Sequence, residues 1–360
     1  MTRVRNILAV YGISHFFVDA CCAALLTSIW LAEIYPVERV LYLYILYNAL
    51  AFAAQAPLGL VVDAFGRPWY FAAAGICLQA AAIVMISSNA NGLPPEAVIL
   101  TAGIGNAMFH LGGGVVSLSL DRGRATAPGI FVAPGAVGLF AGYQLAASGM
   151  SVSIRAAGAI AGCILAAVVY RAERPEIVRP ERARDKDAGF GLVLCLAVFF
   201  IMGSIAVRSM LGLSFPFPWK SDGPRVAFML ALAAGSGKAL GGFLADRFGF
   251  IRTCAAALLM SIPLLTAGTA NPVAGIAGCA LFQMTMPVTL LACADIFRGL
   301  ALAFGMTCLA IFCGALPVLC GVQIQSFLSP VVMAASICLS AICLGVGLRV
   351  LWRGNSKKPA

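Results

Sequence analysis

A chain of 360 residues with 61% hydrophobic and only 11% charged residues, and a mean hydropathy of +0.97, lies far outside soluble composition, where about a quarter of residues are charged. A soluble enzyme or binding domain is excluded. A net charge of +10 would raise nucleic acid as a partner of a soluble protein, but here the basic residues sit in loops between apolar runs, so no nucleic acid is expected.

Each membrane span needs about 20 apolar residues, and in chain order the apolar runs predict twelve: Ile7 to Leu31, Val40 to Val62, Trp69 to Ser87, Ala97 to Leu120, Ala125 to Ser148, Val152 to Tyr170, Phe190 to Leu213, Val226 to Ala245, Thr253 to Ala270, Val273 to Ala294, Leu300 to Val322 and Phe327 to Leu351. The first run is too long for a signal peptide and carries His15 and Asp19. Arg171 to Ala188 is the long charged stretch, broken by Pro175 and Pro180. It predicts an N-terminal six-helix half over 1–170, a cytoplasmic linker over 171–188 and a C-terminal six-helix half over 189–360. Arg3, Arg5, Arg67, Arg122, Arg124, Arg247 and the linker arginines share one side, against Arg39, Arg155, Lys220 and Arg225 on the other. That bias predicts both termini in the cytoplasm. Ser214 to Gly223 is the longest outer connection, and its Trp219 is expected at the headgroup level. The thirteen cysteines show no metal-binding spacing and read as small hydrophobes of the spans.

A polar side chain at lipid depth is costly, so intramembrane ionisable residues face a cavity or a partner. His15 and Asp19 are four apart and share one face of span one; His110 follows Asn106 at the same spacing in span four. Span seven carries Arg208, span eight Lys238, and span ten Gln283, Thr285 and Thr289. At about 1.5 Å per residue, His15, Asp19 and His110 reach nearly the same central layer. An acid and two imidazoles there suit proton coupling, which needs a charged and a neutral state. The same three side chains could also hold a divalent metal, a weaker reading given so few acids. Arg208 and Lys238 could hold an anionic group. Bland alternatives are a His15 bond to a carbonyl one turn away, and a Lys238 that reaches toward Asp246 or the headgroups.

One pattern occurs twice: Gly59-Leu-Val-Val-Asp63-Ala-Phe-Gly66-Arg67 and Gly242-Phe-Leu-Ala-Asp246-Arg247-Phe-Gly249-Phe-Ile-Arg252. Each copy ends the second span of its half, and it resembles the signature turn of the major facilitator superfamily. The resemblance implies an all-α membrane protein of twelve transmembrane helices in two pseudo-symmetric six-helix halves, with spans one, four, seven and ten lining a central cavity. It also implies that Asp63 faces the start of span eleven near Gly299 and Leu300, and Asp246 that of span five near Ala125 and Thr126, as conformational latches. Ala64 stands where a basic residue is usual, so the Asp246 side is expected to keep more charge pairs.

His15-Phe-Phe-Val-Asp19, Gln55-Ala-Pro-Leu-Gly59, Gly103-Ile-Gly105-Asn106-Ala-Met-Phe-His110 and Arg208-Ser209 are similar to the fosmidomycin-resistance-like exporters within that superfamily. Leu111-Gly112-Gly113-Gly114 departs from that branch, which has a proline soon after the histidine, and three glycines would loosen the helix or admit another backbone. Pro134-Gly135-Ala-Val-Gly138 loosely resembles an antiporter element; alternatively it is a proline kink relieved by glycines. The expectation is therefore a monomeric secondary transporter of a bacterial inner membrane, exporting a small organic solute in exchange for protons. Uptake or exchange of an organic anion, and divalent metal efflux, are the alternatives. No cofactor and no enzymatic activity are expected.

Overall fold

In the computed structural model, residues 2–31, 35–87, 93–172, 174–177, 191–297 and 299–352 are described. Among the described residues, twelve helices are long and apolar enough to cross a membrane: α1 (Arg3–Leu31), α2 (Val37–Phe65), α3 (Pro68–Ile86), α4 (Pro95–Leu120), α5 (Thr126–Ala147), α6 (Val152–Arg171), α7 (Leu192–Ser214), α8 (Pro224–Phe248), α9 (Phe250–Ala267), α10 (Pro272–Ile296), α11 (Leu300–Leu319) and α12 (Pro330–Trp352). With no water at lipid depth, a helix satisfies its backbone internally, which is why every apolar run takes this form. Most of the expected linker lies outside the described residues.

Two of the spans are irregular. Helix α2 passes through a π turn at Ala49–Ala53. Helix α10 is broken into Pro272–Gln283 and Met286–Ile296, where the sequence pattern reads one continuous run. Pro287 sits in the first turn of the second piece, where a proline is tolerated because that amide has no helical acceptor.

In the N-terminal half α1 packs on α5, and α3 on α4 and α6; in the C-terminal half α7 packs on α11 and α12, and α9 on α10 and α12. The halves meet along two seams, α2 with α11 and α5 with α8. The second helix of each half thus crosses the fifth helix of the other, the symmetry that the repeated turn implies.

Glycines set both seams, because lipid supplies no hydrophobic force to press helices together and close backbone approach must do so. A Cβ on Gly59 would lie 2.7 Å from the Ala301 carbonyl oxygen, and one on Gly235 2.8 Å from that of Ala133. The three glycines of α4 remain helical and each admits a different neighbour: Gly112 the Pro68–Ala72 backbone, Gly113 the Phe131 ring and Gly114 the Phe304 ring. They serve close approach and do not loosen the helix.

Trp219 packs inward against the protein. Its indole is 6% exposed, stacks on Phe217 at 4.8 Å and 12°, and donates to the Gly268 carbonyl at 2.6 Å. The ring plugs the end of the C-terminal half because burial there gains apolar contact and still satisfies the N–H.

Candidate functional site

His15, Asp19 and His110 converge where α1, α4 and α5 meet. His15 Nδ1 lies 2.8 Å from the Phe131 carbonyl oxygen, and His110 Nδ1 lies 2.9 Å from the Asn106 carbonyl oxygen one turn back. A carbonyl only accepts, so each Nδ1 carries a proton and each Nε2 presents a lone pair. Those two Nε2 atoms face each other at 3.0 Å. Asp19 closes the group, with Oδ2 3.3 Å from His15 Nε2 and Oδ1 3.6 Å from His110 Nε2.

Helix α5 makes room for this arrangement. Pro134 has no amide hydrogen and weakens the helical ladder just after Phe131. Gly135 leaves the space beyond it empty: a Cβ there would lie 2.5 Å from His15 Nε2 and would also strike Asp19 Oδ2. Gly138 and Gly142 then admit the Phe16 and Ala20 carbonyls of α1. We expect Gly135→Ala to displace His15 from Phe131 and to destabilise the protein by about 1–3 kcal/mol through overpacking. Thermal unfolding of the detergent-purified protein checks this, with Ala136→Gly as the control.

Asn106 takes part through its backbone carbonyl, while its side chain donates to Cys22 Sγ at 3.3 Å. Lys238, on α8 of the other half, is within electrostatic reach of Asp19. The ligand atoms of His15, Asp19 and His110 all lie within 4.8 Å of one another, close enough to hold a divalent cation. One carboxylate with a lysine nearby offsets a single positive charge better than two.

Arg208 is not part of this cluster. It lies in the C-terminal half, where Nη1 donates to the Thr285 hydroxyl at the break in α10. Thr289 turns back onto the Met286 carbonyl at 2.8 Å, and Gln283, half-buried, ends the first segment of α10.

The repeated turns meet the opposite half. Asp63 accepts from the amides of Ala301 at 3.0 Å and Leu302 at 2.9 Å, in the first turn of α11. Asp246 accepts from the amides of Ala125 at 2.7 Å and Thr126 at 2.9 Å, at the start of α5, and from the Thr126 hydroxyl. Carboxylates there satisfy amides that a helix start leaves without acceptors, and complement its dipole. Gly59 and Gly242 lie one turn before each acid and let the two backbones touch. Gly66, at φ 69°, and Gly249, at φ 95°, end α2 and α8 in a conformation that favours glycine. Among the turn arginines, Arg67 lies over Tyr70 and Arg247 over Phe248, while Arg252 is exposed. Arg124, from the other half, approaches Asp246 Oδ2 at 3.7 Å.

Sequence reasoning did not find the Phe131 carbonyl or the break in α10. Pro134 and Pro287 were the available signals.

No family model matches the chain, and no curated protein matches it. Solved structures do. A major facilitator superfamily transporter, FucP, in the outward conformation is 14% identical over 98% of this chain and 99% of its own, with a TM-score of 0.63. The human organic anion transporter MFSD10 is 14% identical over 97% and 99%, at 0.62. A bacterial homologue of the iron transporter ferroportin, in an outward-facing state, is 12% identical over 98% and 100%, at 0.59. The likeness runs from end to end of each, and the chain has the twelve-helix major facilitator fold.

Proposed function

We propose that this protein is an alternating-access secondary transporter whose coupling proton is held between His15 and His110 beside Asp19. The observation that carries the reading is the pair of Nε2 lone pairs facing each other at 3.0 Å, with both Nδ1 atoms committed to carbonyls. Two lone pairs at that distance repel, and one proton between them turns repulsion into a hydrogen bond. A second proton would place two cations about 3 Å apart, costing about 5 kcal/mol at an effective dielectric constant of 20. The site therefore exchanges one proton.

With the proton in place, the imidazolium neutralises Asp19. After it leaves, Asp19 is the uncompensated charge, and Lys238 across the α5–α8 seam is the fixed cation in reach. Loss of the proton thus strengthens an attraction between the halves, which is how protonation can bias rocking of one half against the other. The Asp63 and Asp246 contacts act as latches that close the end carrying both termini, the cytoplasmic end by charge placement. The solute is a small organic compound, exported in exchange for protons, a direction that follows the branch resemblance. The protein works as a monomer in a bacterial inner membrane.

Proteoliposomes under an imposed pH gradient test this. A panel of anionic, neutral and cationic solutes is added while an internal dye reports pH. Solute-dependent proton flux is expected in the wild type, reduced at least about tenfold in His110→Gln and Asp19→Asn, in line with the usual contribution of a positioned proton-transfer group. Flux of unchanged size in both variants would remove the proton from the cluster.

A further inference from the structure

Arg208 is the group that the proton cluster does not use, and its surroundings are unusual for a buried cation. It is 9% exposed, and its Nε is buried with no hydrogen-bond partner. The ionisable groups within electrostatic reach of it are the thiols of Cys254 and Cys293. No carboxylate pairs with it among the described residues. An ion at lipid depth without a counter-ion is costly, and burying a cation is tolerated where a partner completes it.

Its one hydrogen bond among the described residues shows where that partner would sit. Nη1 donates to the hydroxyl of Thr285, the residue that immediately precedes the eleven-residue second segment of α10. Pro287 leaves the first turn of that segment with one amide fewer, and the segment's dipole presents positive charge at this end. The bond from Nη1 to Thr285 orients the planar guanidinium, whose Nε–Nη2 edge keeps a buried Nε without a partner. That edge carries two parallel donors spaced for the two oxygens of a carboxylate. A guanidinium beside the start of a half-helix in a discontinuous span is an arrangement for an anion.

We infer that the transported solute is an organic anion whose carboxylate, or a similarly forked oxyanion, binds the Nε–Nη2 edge of Arg208 at the break in α10. The inference rests on the transporter reading and assigns the solute to the C-terminal half and the proton to the N-terminal half. One bidentate anion neutralises the one guanidinium. A neutral amide of the same shape leaves the charge uncompensated and sets an N–H against the guanidinium donors. The site therefore discriminates acid from amide.

The test uses the full-length purified protein and thermal-shift titration, since a ligand of the folded state raises its stability. The probes are lactate, succinate, citrate, benzoate and methylphosphonate, with lactamide, succinamide and benzamide as neutral counterparts. At least one acid is expected to stabilise the wild type where its amide does not. Arg208→Gln is expected to weaken that acid about 100-fold, as loss of a charge-assisted bidentate pair does. Arg208→Lys keeps the charge without the fork and should lie between. Failure of every acid to stabilise the wild type overturns the inference, as does an acid-over-amide preference unchanged in Arg208→Gln. If Arg208→Gln does not fold, an Arg208→Lys protein that binds the acid as tightly as wild type overturns it as well. Acid binding through Arg208 without proton flux would sink the proton-coupling reading alone. Proton flux driven equally by neutral solutes would sink the anion site alone.

Discussion

Asp246→Asn is expected to accelerate hydrogen exchange at the Ala125 and Thr126 amides by about 10- to 100-fold. Both amides donate to this carboxylate, as does the Thr126 hydroxyl, and the side chain is 2% exposed. Bonds to a charged acceptor contribute about 1.5–3 kcal/mol each, and every 1.4 kcal/mol is about tenfold in an equilibrium. Asparagine keeps one acceptor but turns an NH2 group toward the amides, so at least one bond is replaced by repulsion. Asp63→Asn should do the same for Ala301 and Leu302. Peptide-resolved exchange on the full protein reads both seams at once, with α3 as the internal control. If protection at both helix starts is unchanged in the double variant, the acids do not hold the halves together. If it falls at both, the open population at this end rises, and reagents that enter from it should reach the α4–α11 contact at Gly114 and Phe304.

Histidine-selective nitrogen NMR should show one protonation event for two imidazoles. The chain contains only two histidines, and both lie in the cluster, so a tag without histidine makes the spectrum a report on this site alone. Both Nδ1 atoms should remain protonated across the titration, held by Phe131 and Asn106, while the two Nε2 signals change together as one shared proton arrives. His15→Gln should abolish the shared state and leave a single Nε2 signal, that of His110. Asp19→Asn removes the carboxylate that lies 3.3 and 3.6 Å from the two rings and should alter the Nε2 signals of both. Two separate events spanning the physiological range, or a proton found on Nε2 of each ring at once, would refute the shared-proton geometry. Cobalt added as a probe gives the remaining outcome: ligand-field bands that need all three side chains would make the occupant a metal ion.

Much of this was legible in the sequence for a physical reason. A membrane interior restricts the backbone to helices of fixed minimum length, so the apolar runs alone place twelve spans to within a few residues. The cost of an ion at lipid depth then marks His15, Asp19, His110, Arg208 and Lys238 without any knowledge of packing. The repeated Gly-x-x-x-Asp turn puts glycine and aspartate on one helical face, and its resemblance to the major facilitator signature turn, not the spacing itself, implies which helix starts it faces.

What the sequence left open is how each helix is turned about its axis. A span apolar on every side has no amphipathic stripe to orient it, and lipid exerts no force that distinguishes one face from another. The proline at 134 reads as a kink, but only the packing of α1 on α5 shows that it brings the Phe131 carbonyl to His15 and that Gly135 opens the space for the ring. Trp219 reads as a headgroup anchor until a carbonyl and a second aromatic ring bury it. Arg208 and His15 both read as costly ions of the spans, and they belong to separate groups, one at the break in α10 and one against α5. Composition and spacing by themselves determined the twelve spans, the two halves and the list of costly side chains. Only close packing, set by glycines where backbones touch, decided which of those side chains meet.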